Sequence, residues 1–391
     1  MSGYTSSSRR AGGVQLPIIP TVAGWLAETP GAVSLGQGVA YYGPPPGATA
    51  VLERFPSAPG SHVYKPDAGL PELRKAFEEK LRSENGIDAP FERRILVTAG
   101  ANQAFFNAVL AICDPGDEVI LLTPYYFNHE MAITLASCRA VCVPTDGNYL
   151  PRIDAIEAAV TSRTRAIVTV SPNNPAGVVY SRETLSGING LCARRGIYHI
   201  SDEAYEYFTY DGAVHFSPGS LGGEDHTISL YSLSKAYGMA SWRIGFLVAP
   251  EHLFDDLIKI QDTLIVCAPA VSQAVALEAL RIGSGYCRKH LEVIAEVRRQ
   301  VLSGLSGIPD ILTVPASQGA FYFLAKVRTD MDDLKLTERL VREHGVAVIP
   351  GGTFGIAEEC CLRIAYGSLK METALEGTRR LVEGLRSILG S

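Results

Sequence analysis

Seven short apolar runs between residues 94 and 249 alternate with longer amphipathic stretches, and this alternation limits the possible folds more than any other feature. Several runs, such as EVILLT (118–123) and RAIVTV (165–170), are apolar nearly throughout, which is typical of strands buried on both faces of a parallel sheet. The stretches between them predict helices. We therefore expect an α/β layered domain, with strands over residues 94–98, 118–123, 139–144, 165–170, 197–201, 227–232 and 244–249.

The pattern changes after about residue 250. Helical stretches over about 251–282 and 286–305 are followed by short apolar runs at 311–314, 320–327, 346–350 and 361–366. The chain of 391 residues is also too long for one ordinary core. Strands that follow helices in this way predict a second, smaller α+β domain.

Polar side chains follow the ends of four predicted strands, in VTAGANQA (97–104), SPNNPAG (171–177), SDEAY (201–205) and SLSK (232–235). In open α/β sheets, ligands bind outside the carboxyl ends of the strands. One crevice is therefore expected to collect Gly100, Ala101, Asn102, Asn174, Asp202, Tyr205, Ser232, Ser234, Lys235 and Arg243. Each segment alone also has a plain structural explanation, because Asn, Pro and Gly favour turns and an Asp at a strand end can cap a helix.

Lys235 is the most informative of these residues. Lysine is seldom buried unless it is paired, yet Lys235 follows an apolar strand whose end should face the crevice. A surface lysine remains the alternative. A desolvated lysine has a lowered pKa and becomes an amine nucleophile that forms Schiff bases. Since Ser232, Ser234 and Arg243 supply hydroxyls and a guanidinium that suit a phosphate, the set fits a phosphorylated aldehyde cofactor such as pyridoxal phosphate.

The composition argues against several other classes of function. The formal net charge of −6 does not favour nucleic acid, whose binders carry clustered basic surface. No apolar stretch reaches the ~18 residues of a membrane span. The 8 cysteines include no CxxC pair, so we expect free thiols in a cytoplasmic protein rather than a metal site or a disulfide framework.

Several motifs along the chain occur in an order that resembles the class I/II aminotransferases, which are pyridoxal phosphate-dependent enzymes of fold type I. The resemblance runs from about residue 14 to the C-terminus and rests on VSLGQG, HVYKPDAGLPELRKA, VTAGANQAF, DPGDEVILLTPYYFN, SPNNPAG, SDEAYEYF, SLSKAYGMASWRIGF and CLRIAYG. The opening LGQG followed by PPP is most similar to the branch of kynurenine and glutamine transaminases and their bacterial relatives. The family implies a large domain with a mostly parallel seven-stranded sheet between helices, plus a smaller α+β domain.

The resemblance implies a role for each residue around the cofactor ring. Lys235 would form the Schiff base with the cofactor and carry the proton between the substrate Cα and the cofactor. Asp202 would keep the pyridine nitrogen protonated, so that the ring accepts electrons. Tyr205 and Asn174 would hydrogen-bond to the phenolic oxygen, and Tyr126 would stack on the ring.

The same resemblance implies how the phosphate and the substrates bind. Hydroxyls, a guanidinium and backbone amides would hold the phosphate, from Ser232, Ser234, Arg243, Gly100, Ala101 and Asn102. Tyr64 would reach the phosphate of the other subunit's cofactor, which implies a homodimer with shared active sites. Arg363 would bind the α-carboxylate of an L-amino acid or 2-oxo acid as a bidentate fork, helped by Gly38 and Asn174.

Two departures from the family pattern bear on the substrate. Relatives that prefer aspartate often have a lysine in the phosphate loop, where this chain has Asn102. The residues after LGQG are VAYYG, so Tyr41 and Tyr42 are expected to line the pocket for the substrate side chain. We therefore predict an aromatic, methionine or glutamine-like amino donor, paired with a 2-oxo acid in a ping-pong transamination.

Two alternatives stay open at this point. The same fold and residues also serve β-lyases, decarboxylases, cyclases and oxygen-using hydroxylases, because the bond that breaks depends on how the substrate is oriented. A non-catalytic module that binds the cofactor or an amino acid for regulation is the other alternative.

The expected domain organisation has four parts. Residues 1–13 predict a disordered tail, for which a short transit segment is the alternative. An N-terminal arm (14–47) is expected to pack with the small domain or with a partner subunit. A large cofactor-binding domain (48–285) and a small C-terminal domain (286–391) complete the chain.

Overall fold

The computed structural model describes residues 7–222 and 225–390 of the chain. The strands are β1 (Val33–Ser34), β2 (Ile95–Thr98), β3 (Glu118–Thr123), β4 (Arg139–Pro144), β5 (Thr164–Val170), β6 (Tyr198–Asp202), β7 (Thr227–Ser232), β8 (Gly245–Val248), β9 (Leu312–Thr313), β10 (Tyr322–Val327), β11 (Val346–Ala347), β12 (Ile349–Pro350) and β13 (Cys361–Ala365). The α-helices are α1 (Arg9–Gly13), α2 (Ile18–Ala27), α3 (Pro46–Thr49), α4 (Pro71–Lys80), α5 (Phe91–Arg94), α6 (Ala101–Ile112), α7 (Phe127–Leu135), α8 (Ile153–Ala159), α9 (Arg182–Arg195), α10 (Leu233–Ala236), α11 (Phe254–Ile265), α12 (Ala270–Ile282), α13 (Gly285–Leu305), α14 (Asp333–His344) and α15 (Met371–Leu389).

The central sheet has seven strands in the order β2-β8-β7-β6-β5-β3-β4. The neighbours from β7 through β6, β5 and β3 to β4 are parallel, whereas β8 runs antiparallel to both β2 and β7. This sheet confirms the predicted fold class, and each end of all seven predicted strands agrees within one residue. The reversal of β8 had no signal in the sequence, because an apolar run has the same pattern in either direction.

Helices cover both faces of the central sheet. On one face, Val119 and Val168 pack in a cluster with Phe105 of α6 and Leu257 of α11. On the other face, Ile120 and Ile167 pack with Leu185, Ile188 and Leu191 of α9. Since the inner strands bury side chains on both faces, they appear in the sequence as continuous apolar runs.

The C-terminal part forms a second, antiparallel sheet in the order β12-β13-β10-β9. The long helical stretch predicted over about 251–282 is divided into α11 and α12. Val266, directly after α11, has a φ of +62°, which a β-branched residue adopts only under constraint. Pro269 then precedes α12, and a proline at this position starts a new helix rather than continuing the old one.

The N-terminal segment packs against the C-terminal part of the same chain. Ile18 and Val22 of α2 lie in one apolar cluster with Val341 and Ile349. Strand β1 pairs in parallel with β11. The predicted arm (14–47) therefore packs against the C-terminal part of its own chain. Its contact with a partner subunit stays a prediction.

The first residues differ from the expected tail. Arg9–Gly13 form a short helix, and the hydroxyl of Ser8 accepts a hydrogen bond of 3.3 Å from the N–H of Ala11. The rest of that prediction, over residues 1–6, lies outside the described residues. Within the described ranges, no helix combines the length and the apolar character needed to cross a bilayer. The domain boundaries at 47/48 and 285/286 stay predictions.

Candidate active site

A cavity of about 450 Å³ lies at the carboxyl ends of the parallel strands, between the central sheet and strands β10 and β13. Val170, Asp202 and Ser232, the last residues of β5, β6 and β7, all line it. Of the predicted site residues, the cavity brings together Gly38, Ala101, Asn102, Tyr126, Asn174, Asp202, Tyr205, Ser232, Ser234, Lys235, Arg243 and Arg363.

Lys235 lies in the short helix α10, directly after β7. Its Nζ atom donates a hydrogen bond of 2.6 Å to the backbone oxygen of Gly38. Burial, together with the positive charges of Arg363 and Arg243, lowers the pKa of the Lys235 amine to about 8. Near neutral pH, a larger fraction of this amine is therefore neutral and nucleophilic than in a surface lysine.

One end of the cavity suits an anion. Ala101 and Asn102, the first residues of the 12-residue helix α6, line the cavity there, and a helix N-terminus attracts negative charge. Arg243 lies beside them, because a Cβ atom added to Gly100 would be only 2.4 Å from its Nη2 atom. Gly100 has a φ of +86°, so a glycine both permits the turn and lets the loop pass close to the guanidinium.

Two serines complete this end of the cavity. Ser232 caps α10, since its Oγ atom accepts a hydrogen bond of 3.2 Å from the N–H of Ser234. The cap holds both serines on the same short turn as Lys235, and both line the cavity. Hydroxyls, a guanidinium and a helix N-terminus together form a set of donors that suits a phosphate.

Asp202 is held by a residue that the sequence analysis missed. Its Oδ2 atom lies 3.1 Å from Nε2 of His129 on α7, and both side chains are almost fully buried. Its Oδ1 atom accepts a hydrogen bond of 3.1 Å from the N–H of Ala204. The imidazole ring of His129 stacks on Phe105, with 4.0 Å between the ring centres. The one sequence signal for His129 is its position one helical turn after Tyr126.

Three tyrosines surround the middle of the cavity. The hydroxyls of Tyr205 and Tyr322 are 2.7 Å apart. Burial raises the pKa of Tyr205 well above its usual value and raises the pKa of Tyr322 to about 12, so both are neutral phenols. The hydroxyl of Tyr126 accepts a hydrogen bond of 2.7 Å from Nδ2 of Asn128 and lies 3.4 Å from Oδ1 of Asn102.

Arg363 on β13 is buried, with 2% of its surface exposed. Its Nη1 atom donates to Oδ1 of Asn174 and its Nη2 atom donates to the backbone oxygen of Gly36, both at 2.9 Å. Its guanidinium carbon lies 4.6 Å from the ring centre of Tyr322 and 5.1 Å from that of Phe354. In the described part of the chain, its buried Nε atom has no hydrogen-bond partner. A guanidinium that is held in place and still has unused N–H donors suits a carboxylate.

Two of the predicted cofactor residues do not line the cavity. Gly100 lies behind the guanidinium of Arg243. Tyr64 is 82% exposed and contributes nothing to the cavity of its own chain. Its predicted contact with the other subunit's cofactor stays a prediction.

Tyr41 and Tyr42 do not line the cavity either, so the expectation that they form the side-chain pocket is wrong within this chain. Tyr42 stacks on His290 at 3.9 Å between ring centres, and the Tyr41 hydroxyl lies 2.7 Å from Nδ1 of the same histidine. The Tyr42 hydroxyl donates to the backbone oxygen of Lys235 at 3.2 Å. Tyr42 therefore contacts the backbone of the Lys235 turn, whereas Tyr41 contacts His290.

The lining residues that the sequence analysis did not name include Ile19, Gln37, Val39 and Phe127. Gln37 and Val39 flank the predicted site residue Gly38, and Phe127 follows the predicted Tyr126. Their positions next to predicted site residues were therefore a signal in the sequence. Ile19 had no such signal, because it comes from helix α2, far from every motif that carries chemistry.

The groups in the cavity fit pyridoxal phosphate. The buried amine of Lys235 suits its aldehyde, the buried carboxylate of Asp202 suits its ring nitrogen, and the donors around Arg243 suit its phosphate. The close approach at Gly100 supports this fit, since a side chain there would fill the space beside the guanidinium. Among the described residues, no group of three His, Cys, Asp or Glu side chains could hold a metal ion.

A family profile and the relatives of this chain identify the same family. The profile of the family described as aminotransferase class I and II matches residues 30–381. An aromatic aminotransferase of Arabidopsis thaliana is 34% identical, over 100% of this chain and 98% of that protein. A probable aspartate/prephenate aminotransferase of Thermus aquaticus is 38% identical, over 82% of this chain and 83% of that protein.

Solved structures give the same result. A double mutant of the Thermus thermophilus aspartate aminotransferase has a TM-score of 0.90 and 32% identity, over 97% of this chain and 100% of that chain. The aromatic aminotransferase from Pyrococcus horikoshii has a TM-score of 0.87 and 32% identity, over 94% of this chain and 99% of that chain. The kynurenine and glutamine transaminase branch stays a prediction.

Proposed function

The chain belongs to the class I and II aminotransferases, which depend on pyridoxal phosphate, and from this premise we propose that it takes the amino group of a neutral L-amino acid. The favoured donors are aromatic amino acids, methionine and glutamine-like amino acids, and a 2-oxo acid accepts the amino group in a second half-reaction. The relatives are named aminotransferases, which favours transamination over lyase, cyclase or hydroxylase chemistry and over a non-catalytic role.

When bound, the cofactor supplies an electron sink that makes the Cα proton of the amino acid acidic. Lys235 anchors the cofactor covalently and then moves the proton at Cα. Its lowered pKa, about 8, supports this role, because a base must be neutral before it can take a proton. The backbone oxygen of Gly38, which accepts the hydrogen bond from Nζ, holds the amine on the cavity side.

Asp202 holds a proton on the ring nitrogen of the cofactor. The role is supported by its place at the end of β6 and by its nearly complete burial. A buried carboxylate interacts more strongly with a nearby positive charge than an exposed one does. His129 and the N–H of Ala204 each bind one oxygen of the carboxylate, which fixes its orientation.

Arg363 binds the α-carboxylate of the substrate. Asn174 and the carbonyl of Gly36 hold the guanidinium in place before the substrate arrives, so little side-chain freedom is lost on binding. Arg243 and the N-terminus of α6 bind the cofactor phosphate. The substrate α-carboxylate and the cofactor phosphate therefore bind to different arginines.

One observation carries the donor preference: each cation that lines the cavity in the described part of the chain already has a role. These cations are Lys235, Arg243 and Arg363. The remaining wall includes the apolar side chains of Ile19, Val39 and Phe127 and the amide of Gln37. A second carboxylate on the substrate would be desolvated here without a cation, which costs more than the burial of a neutral side chain.

The test is a kinetic panel of single donors with a fixed 2-oxo acid. We expect kcat/KM for phenylalanine, methionine and glutamine to exceed that for aspartate by at least about tenfold, equivalent to about 1.4 kcal/mol.

Asn102→Lys should raise kcat/KM for aspartate relative to phenylalanine, because it adds a cation at the cavity wall. Asn148→Lys, at an exposed position outside the cavity, adds the same charge and should leave the ratio unchanged. A wild-type enzyme that prefers aspartate to every neutral donor would falsify the donor preference.

A single half-reaction tests the chemistry. The purified protein is loaded with pyridoxal phosphate, and its visible absorbance is followed after one amino acid is added without a 2-oxo acid. Transamination bleaches the band and releases one equivalent of 2-oxo acid, whereas lyase or oxidase chemistry releases ammonia. Lys235→Ala should lack the band of the wild-type protein.

The enzyme works as a cytoplasmic homodimer with shared active sites. Seven described cysteines, Cys113, Cys138, Cys142, Cys267, Cys287, Cys360 and Cys361, have free thiols, which supports a reducing compartment. The 82% exposure of Tyr64 supports a contact outside its own chain. Mixed dimers of Tyr64→Ala and Lys235→Ala test the sharing. If Tyr64 serves the partner's site, each mixed dimer keeps one intact site and roughly half of the wild-type activity. If Tyr64 serves its own site, no intact site forms.

A further inference from the structure

Tyr322 contacts Tyr205, Arg363 and the loop at Gly38, all of which line the cavity. It lies in β10, whose apolar sequence is typical of an ordinary core strand. Its hydroxyl is 2.7 Å from the hydroxyl of Tyr205. Its ring lies 4.6 Å from the guanidinium carbon of Arg363. A Cβ atom added to Gly38 would be 2.5 Å from its hydroxyl oxygen, so this hydroxyl lies directly against the loop that holds the Lys235 amine.

The backbone of Tyr322 is fixed on two sides. Its carbonyl oxygen accepts a hydrogen bond of 3.0 Å from the hydroxyl of Ser317. In the second sheet it pairs with Ala365, two residues beyond Arg363 on β13. The side chain is 1% exposed. The ring therefore has little freedom to move relative to the arginine that it contacts.

The two hydroxyls share one hydrogen bond, in which either oxygen can be the donor. Each phenol has one proton, and burial keeps both phenols neutral, with the pKa of Tyr322 raised to about 12. When Tyr322 donates to the oxygen of Tyr205, the proton of Tyr205 is left for an acceptor in the cavity. A hydroxyl that accepts a hydrogen bond also becomes a stronger donor.

We infer that Tyr322 is a positioning residue with two separable parts. Its hydroxyl directs the Tyr205 proton towards the phenolic oxygen of the cofactor, and its ring holds the Arg363 guanidinium in the plane that receives the α-carboxylate. The inference rests on the proposed roles of Tyr205 and Arg363. One side chain, Tyr322, would thus contact both Tyr205, which hydrogen-bonds to the cofactor, and Arg363, which binds the substrate.

Tyr322→Phe and Tyr322→Leu separate the two parts. Phenylalanine keeps the ring and removes the hydroxyl, whereas leucine removes both. The first measurement is the pH titration of the visible absorbance of the cofactor-loaded protein. A donor to the phenolic oxygen stabilises its anionic form, so a weaker donor should shift the midpoint to higher pH, by about 0.5–1 unit in Tyr322→Phe. The second measurement is KM for the amino donor, which should stay within about twofold in Tyr322→Phe and rise about tenfold in Tyr322→Leu.

Two further variants complete the experiment. Gly38→Ala leaves Tyr322 in the sequence but places a methyl group against its hydroxyl, so it should shift the titration in the same direction as Tyr322→Phe. Tyr210→Phe is the matched control, because it removes another buried hydroxyl, one that donates to the backbone oxygen of Ala320 at 2.8 Å outside the cavity. It should leave the titration midpoint unchanged.

The outcomes separate this inference from the proposed function. If the wild-type protein forms a Lys235-dependent band and Tyr322→Phe titrates at the wild-type midpoint, the hydroxyl has no positioning role and the proposed function stands. If Tyr322→Leu keeps the wild-type KM, the role of the ring is overturned. If the wild-type protein forms no Lys235-dependent band, the assignment of the site itself is wrong.

Discussion

The Nε2 atom of His129 lies 3.1 Å from the Oδ2 atom of Asp202, and the two side chains are buried together beneath the cavity. His129 comes from the first turn of helix α7, and Asp202 ends strand β6, so a helix and a strand together fix the carboxylate. Stacking on Phe105 keeps the imidazole from rotating. The orientation of Asp202 therefore depends on a residue 73 positions earlier in the chain.

Loss of this contact should weaken cofactor binding. His129→Leu removes the partner of one carboxylate oxygen, and a buried polar group left unpaired costs about 1–3 kcal/mol. We expect roughly 5- to 150-fold weaker binding of pyridoxal phosphate, measured by equilibrium titration of the visible band. His129→Gln should recover much of the affinity, since its amide Nε2 can occupy the place of the imidazole Nε2. Equal losses in both variants would show that packing on Phe105, and not the contact with Asp202, determines the affinity for the cofactor.

The capture of pyridoxal phosphate should depend on pH through Lys235. Its pKa, about 8, is below the ordinary value of 10.5, so the amine is protonated and unreactive below pH 8 and neutral above it. The rate constant for capture by the cofactor-free protein should rise about tenfold per pH unit below pH 8 and level off above it. Stopped-flow absorbance between pH 6 and 10 measures this profile.

A free lysine derivative is the reference for this profile, because its rate keeps rising up to about pH 10.5. A protein profile that also keeps rising tenfold per unit beyond pH 9 would show that the cavity does not lower the pKa of Lys235.

Gly100→Ala should damage the anion site specifically. The new Cβ atom would lie 2.4 Å from Nη2 of Arg243, so the guanidinium must shift from the position in which it lines the cavity. Gly116→Ala is a matched control: Gly116 also has a positive φ, +93°, but its Cβ atom would meet nothing within 4 Å. Both variants should lose about 1–3 kcal/mol of unfolding free energy from backbone strain. Only Gly100→Ala should also bind pyridoxal phosphate at least tenfold more weakly, and similar affinities in the two variants would contradict the close approach as the cause.

Arg363→Lys should raise KM for amino donors more than it lowers kcat. Lysine keeps the charge but loses the planar fork, so a bidentate contact with the α-carboxylate becomes a single one. We expect KM to rise about 10- to 100-fold, equivalent to about 1.4–2.8 kcal/mol of binding free energy. Steady-state kinetics with a favoured neutral donor measures the change. Arg328→Lys, at an exposed position in the C-terminal part of the chain, should have no effect, and an unchanged KM in Arg363→Lys would assign the carboxylate to another group.

Much of the central sheet and the cofactor end of the site could be predicted from the sequence because both depend on local patterns. A strand buried on both faces, such as β3, is apolar throughout, and this pattern identifies it without any knowledge of its neighbours. Chemical residues such as Asp202 and Ser232 then follow at strand ends. Since parallel strands end at one edge of a sheet, their positions along the chain already place these residues close together.

The sequence by itself determined which residues could carry chemistry, through the strand pattern and the order of the motifs. Only the tertiary structure decided which residues from outside the strand ends join them in the cavity. Tyr322 and Arg363 reach the cavity from the second sheet, Ile19 from helix α2 and His129 from helix α7, while Tyr42 turns away from it. A local pattern records whether a side chain is buried, not what it is buried against. Contacts between residues far apart in the chain depend on how whole elements pack, and no short segment contains that information.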